Sequence, residues 1–162
     1  MADRIEGRAM LQTNRGIHVG AGEGRSLRVL ASQLEIKAGA EAELSFGMFE
    51  SLFPPGAGMP FLHLHRSYEE AFYVMEGEVQ FQLGSEEIHA RPGSAMLVPA
   101  GVPHCFRAIG STDVRWLVVA APAVAVTAIE EAAAVAPGDL DGLIEIFDRH
   151  DSELLEHRPH WR

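Results

Sequence analysis

His63-Leu-His-Arg-Ser-Tyr-Glu-Glu70 is the stretch whose reading decides the fold. Two histidines two residues apart share one face of a β-strand, where side chains repeat with period two. On a helix the same pair would lie about 200° apart and could not grip one ion. A carboxylate follows after a short turn. A third imidazole, His104, stands inside a second turn phrase, Pro99-Ala-Gly-Val-Pro-His104. Nitrogen and oxygen donors so arranged have the composition of a transition-metal site.

Outward from this stretch the chain reads as a series of short strands. Runs at 26–30, 34–37, 44–53, 61–65, 72–75, 79–83, 87–90, 95–98, 103–108 and 114–119 are β-like. Glu76-Gly77, Gly84-Ser85, Arg91-Pro-Gly93, Pro99-Ala-Gly101 and Gly110-Ser111 punctuate them. Turn signals this frequent indicate an all-β sandwich or barrel. Residues 1–24, with Gly16, Gly20, Gly22 and Gly24, read as an extended arm, and 25–121 as the β domain. Residues 122–162 read as a helical extension packed on it. Thr127-Ala-Ile-Glu130 has the form of a capping box opening a short helix. A second helix is expected from about Asp139 to Arg149, with Leu140, Leu143, Ile144 and Phe147 on one stripe. Both helices read as structural cover, and the tail with His157 and His160 as a polar end.

Bulk properties narrow the function. The 162 residues have a formal net charge of −10, with 23 acids against 13 Lys and Arg. That balance disfavours nucleic acid and anionic membrane as partners, since both select basic surfaces. One cysteine, Cys105, excludes an intrachain disulfide framework. No apolar run is long enough to span a bilayer. The expectation is a cytoplasmic protein that binds a small-molecule substrate.

Gly58, His63, His65, Glu70 and Gly77, followed by Gly93, Pro99, Gly101 and His104, resemble the two motifs of the cupin superfamily. Four residues separate His65 from Glu70 and six separate Glu70 from Gly77. Five separate Gly93 from Pro99, one separates Pro99 from Gly101 and two separate Gly101 from His104. Two departures stand out. Gly58 precedes His63 by one residue fewer than in the usual pattern, and Ala108 occupies the place of a frequent Asn. The phrase Glu70-Ala-Phe-Tyr-Val-Met-Glu-Gly77 is similar to small bacterial cupins of the quercetin-dioxygenase-like group.

The resemblance implies a jelly-roll barrel, the architecture of cupins. It implies one divalent metal per chain held by His63, His65, Glu70 and His104, and a homodimer. Strand parity alone leaves Glu69 and Glu70 open, because the Arg66-Ser67-Tyr68 turn resets the alternation; the family spacing to Gly77 selects Glu70. The ligand types suit Fe, Mn, Ni, Cu or Zn. The implied activity is that of a metal-dependent, dioxygenase-like enzyme acting on a small enol or phenolic substrate, with Glu70 as its base. A metal-dependent isomerase, cyclase or decarboxylase, or a non-catalytic small-molecule binder, is the alternative.

Met48, Phe61, Phe72, Phe81, Phe106 and Trp116 are candidates to line the pocket, as they are for the barrel core. Cys105 reads as a small buried or interface residue, not a nucleophile. His18, His89, Arg107 and Arg115 read as surface residues, with the pocket mouth as the alternative for the two arginines.

Overall fold

A computed structural model describes residues 11–13, 16–136 and 138–156. The β domain begins with β3 (Arg25–Val29), β4 (Ser32–Ala38) and β5 (Gly47–Phe53), and continues with β6 (Gly58–His65), β7 (Glu69–Glu76) and β8 (Glu78–Leu83). It ends with β9 (Glu86–Ala90), β10 (Ala95–Val98), β11 (His104–Ile109) and β12 (Val114–Ala121). Two helices, α1 (Ala125–Ala132) and α2 (Leu140–Arg149), lead to a last strand, β13 (Ser152–Glu156). Upstream, β1 (Leu11–Thr13) and β2 (Gly16–His18) pair with each other as a separate ribbon. The expected extended arm is therefore partly hairpin, and its first ten residues lie outside the described ones.

The strands form two antiparallel sheets. One has six strands in the order β10-β7-β12-β5-β4-β3; the other has five in the order β13-β6-β11-β8-β9. From β5 to β8 and again from β9 to β13 successive strands alternate between the sheets, which gives a jelly roll, as the turn spacing implied. The inner faces carry the large side chains. Phe53, Phe81 and Trp116 are at most 1% exposed, and Phe72 packs among them. The Trp116 ring lies 5.0 Å from Phe53, 4.9 Å from Phe72 and 4.5 Å from Phe106, all at tilted or edge-on angles. Such pairs add stabilisation beyond the area they bury.

Strand alternation holds along β12, whose residues are buried at every second position. On the outer side of the six-stranded sheet, Tyr73 and Leu97 are 49% and 66% exposed.

Two motif glycines have a steric cause. Gly77 has φ 74° and a Cβ there would meet the Asp113 carbonyl oxygen at 2.5 Å. Gly58 lies so close to β11 that a Cβ would come within 2.3 Å of the Phe106 carbonyl oxygen. The glycine that departs from the usual spacing thus still serves close strand approach.

The helical extension corrects one expectation. α1 begins at Ala125, so Thr127 lies inside the helix, and no side chain caps its start. Burial explains the shift. Val126 is fully buried in the main core and Ala125 is 2% exposed, which draws the first turn onto the barrel. α2 follows the sequence more closely: the Asp139 side chain accepts from the Gly142 amide at 3.0 Å.

Candidate metal centre

His63 and His65 stand on β6 and His104 on the neighbouring β11, where His104 is directly opposite His63. Their ligand atoms lie within 4.8 Å of one another and all three residues are buried. The rings of His63 and His104 are 4.2 Å apart, and those of His63 and His65 4.9 Å. These imidazoles come from the five-stranded sheet. Glu70 comes from the other, on β7, and reaches across the barrel. Its Oε2 lies 3.2 Å from His104 Nε2 and 3.3 Å from His65 Nε2. Glu70 is buried, whereas Glu69 is exposed, so the structure distinguishes two residues that strand parity alone could not.

The outer ring nitrogens are all engaged. His63 Nδ1 lies 2.9 Å from the Phe61 carbonyl oxygen, and His104 Nδ1 3.1 Å from that of Val102. A carbonyl can only accept, so both rings carry a proton on Nδ1, which leaves Nε2 as the nitrogen each ring turns inward. His65 Nδ1 lies 2.8 Å from the Ser152 hydroxyl.

The electrostatics agree with a metal-binding role. Burial lowers the His63 pKa well below the usual histidine range, and His104 and His65 add to the effect, so His63 stays neutral. Burial pushes the Glu70 carboxyl up, but the charges and hydrogen bonds of His65 and His104 outweigh it. The net effect holds Glu70 well below the usual carboxylate range. A metal requires neutral imidazole and ionised carboxylate, the forms in which His63 and Glu70 are held. The donor set therefore fits a divalent transition metal.

Beside this cluster lies a cavity of about 150 Å3. The motif histidines His63 and His65 and Glu70 border it, and most of the remaining wall is apolar. Of the candidate lining residues, Phe72, Phe106 and Trp116 do line it. Phe81 is fully buried in the core, and Phe61 faces a second cavity beside α1 and α2. Met48 is absent from the wall of either. The Trp116 indole Nε1 is buried without an acceptor among the described residues.

Five residues at the site were not assigned to it by sequence reasoning. Leu143, Ile146 and Phe147 of α2 close the cavity, and Ser152 of β13 joins them. The Phe147 ring meets His63 edge-on at 5.4 Å. Tyr68, noted only as part of a turn, is stacked on His65 at 4.0 Å and 20°. The α2 stripe was legible but read as cover; nothing in the sequence marks Ser152.

The remaining candidates lie elsewhere. Arg107 forks onto Gln80 Oε1 at 2.9 and 2.6 Å, and Arg115 onto Glu50. Neither lines the cavity. His89 is exposed against Glu78, and His18 is exposed. Cys105 is fully buried beside Gln82, and burial pushes its thiol up to about 12. His157 and His160 lie outside the described residues.

The Cupin_2 family model, described as a cupin domain, matches residues 49–120. An uncharacterized protein of Streptomyces coelicolor is 35% identical over 75 residues, covering 46% of this chain and 70% of that protein. An uncharacterized protein of Methanocaldococcus jannaschii is 29% identical over 73 residues, covering 45% of this chain and 58% of that protein. Among solved structures, KdgF from a Halomonas species superposes with TM-score 0.59 at 22% identity, over 66% of this chain and 94% of that one. A protein described as a predicted oxalate decarboxylase from Thermotoga maritima gives 0.60 at 21% identity, over 65% and 98%. At these identities the structural likeness establishes the fold. With both spaced motifs converging in one barrel, this chain belongs to the cupin superfamily.

Proposed function

We propose that this cupin is a metal-dependent, dioxygenase-like enzyme of the quercetin-dioxygenase-like type. His63, His65, Glu70 and His104 hold one divalent ion, and the substrate is a small enol or phenol. The observation that carries the reading is the convergence of three buried imidazoles and an ionised carboxylate on the edge of an apolar cavity. A bound divalent ion supplies Lewis-acid polarisation of a substrate oxygen and, where redox-active, access to dioxygen chemistry.

The chain's own residues supply the rest. The Glu70 carboxylate, through the oxygen not engaged by an ion or on leaving it, would take the proton of the substrate hydroxyl, whose electron pair remains on the substrate oxygen. Phe72, Phe106 and Phe147 seat the organic body of the substrate and exclude water from the reacting end. The unpaired Trp116 indole N–H offers a donor to a second substrate oxygen. The exposed apolar residues Tyr73 and Leu97 support a homodimer through the outer face of the six-stranded sheet.

The test is oxygen consumption by metal-loaded protein with a panel of small enols and phenols. Uptake of dioxygen in step with substrate loss is expected. Equal turnover under strict anaerobiosis would overturn the oxygenase assignment.

A further inference from the structure

We propose that Ser152 is the positioning residue of His65, and that metal loading is thereby coupled to docking of the α2–β13 unit on the barrel. The inference rests on the reading of the three histidines as ligands. It begins from an asymmetry. His63 and His104 each give their Nδ1 proton to a carbonyl two residues earlier on their own chain segment. His65 instead meets a hydroxyl 87 positions away in sequence.

Counting protons assigns the role of the outer nitrogen. Ser152 has one proton to give, and its Oγ lies 3.1 Å from the His150 carbonyl oxygen, which can only accept. With that proton so placed, Oγ must accept from His65 Nδ1–H. His65 Nε2 is then the ring nitrogen left for an ion, on the side that faces Glu70. The Tyr68 hydroxyl, 3.4 Å from Ser152 Oγ, supplies a further partner, and its ring lies flat on His65. Outer partners of this kind fix the orientation of a ligating histidine, and their loss typically weakens metal binding about 10–100-fold.

The placement of Ser152 adds the coupling. Among the described residues β13 is an edge strand paired with β6 alone, and its register sets Ser152 opposite His65. The Arg66 amide bonds to the Asp151 carbonyl at 2.9 Å, and Arg66 pairs with Glu153. Phe147, on the same unit, meets the His63 ring edge-on. Undocking α2–β13 would therefore remove the partner of one candidate ligand and the ring packed on another, while the pairing of β6 with β11 survives. A ligand that binds only the docked form raises the population of that form.

The experiment compares Zn2+ and Co2+ dissociation constants, by competition with a chromophoric chelator, for wild type, Ser152→Ala, Ser152→Thr and Ser152→Val. Thr and Val have nearly the same shape, so their difference isolates the hydroxyl. About 10–100-fold weaker binding is expected for Ala and Val, with Thr closer to wild type. Hydrogen exchange of wild type is the second readout and needs no variant to fold. Metal should slow exchange across residues 140–156 more than across β11. Equal affinity in all four proteins, or exchange at 140–156 indifferent to metal, overturns the proposal. Wild type that takes up neither ion overturns the ligand reading itself, a result distinct from metal-binding wild type with a silent Ser152.

Discussion

His63 and His104 are held by carbonyls of their own chain segments, whereas His65 is held by a side chain from the far end of the described sequence. The first arrangement forms as soon as β6 and β11 pair. The second waits on a turn at Asp151, which adopts φ 53°, and on the docking of an edge strand. The difference separates two layers of the site. The motif strands supply donors in a fixed local geometry. The C-terminal unit completes one donor and closes the apolar wall. A site built this way ties one candidate ligand and the apolar cavity to the same C-terminal element, so occupancy of one should be felt by the other.

Four perturbations press on that contrast. Glu70→Gln lies on the barrel side and should have the largest effect. Turnover should fall by about 10²–10⁴ through loss of the base, with some metal retained. Steady-state rates and metal content measured on the same sample check this, and full activity would remove Glu70 from its assigned role. Phe147→Ala acts from the C-terminal side. It deletes a ring that lines the cavity, so an apolar ligand should bind about 5–30-fold more weakly, on the scale of a partly buried aromatic side chain. Titration of metal-loaded protein with such a ligand reads the change.

Tyr68→Phe keeps the ring on His65 and removes only the hydroxyl 3.4 Å from Ser152. Metal affinity should shift by no more than about fivefold, because a net hydrogen bond is worth about 1 kcal/mol or less at this length. A loss matching that of Ser152→Ala would move the positioning role from Ser152 to Tyr68. The smallest response concerns Cys105, on β11. Burial raises its thiol above the ordinary cysteine range, so it stays protonated and unreactive through pH 8–9. Labelling at pH 8.5 should be slow with or without metal. Rapid labelling only in the metal-free protein would show that the motif strands open too, and that the two layers are not separate.

The same division governs what could be read without coordinates. The pairing of His63 with His65 follows from strand periodicity, and the β-strands follow from turns spaced by Gly and Pro. Gly77 is required where it stands because its φ of 74° and the nearby Asp113 carbonyl leave no room for a side chain. Those are local constraints and leave local traces. β13 leaves little: Ser152-Glu-Leu-Leu-Glu156 has adjacent leucines and no alternation. Its extended form comes from pairing with the edge of β6, a tertiary cause. The start of α1 was misplaced for a related reason, since burial of Val126 outweighs the capping signal of Thr127. Phe147 lay on a legible stripe, but a stripe does not say whether it covers a core or a cavity.

The central claim is that three imidazoles and a carboxylate, drawn from both sheets, hold an ion. Elemental analysis of the purified protein tests it most directly, with His63→Ala as the control. One redox-active divalent ion per chain in wild type, and its loss in His63→Ala, is the expected result. No metal in wild type, even after reconstitution with Fe, Mn, Ni, Cu and Zn in turn, would contradict it.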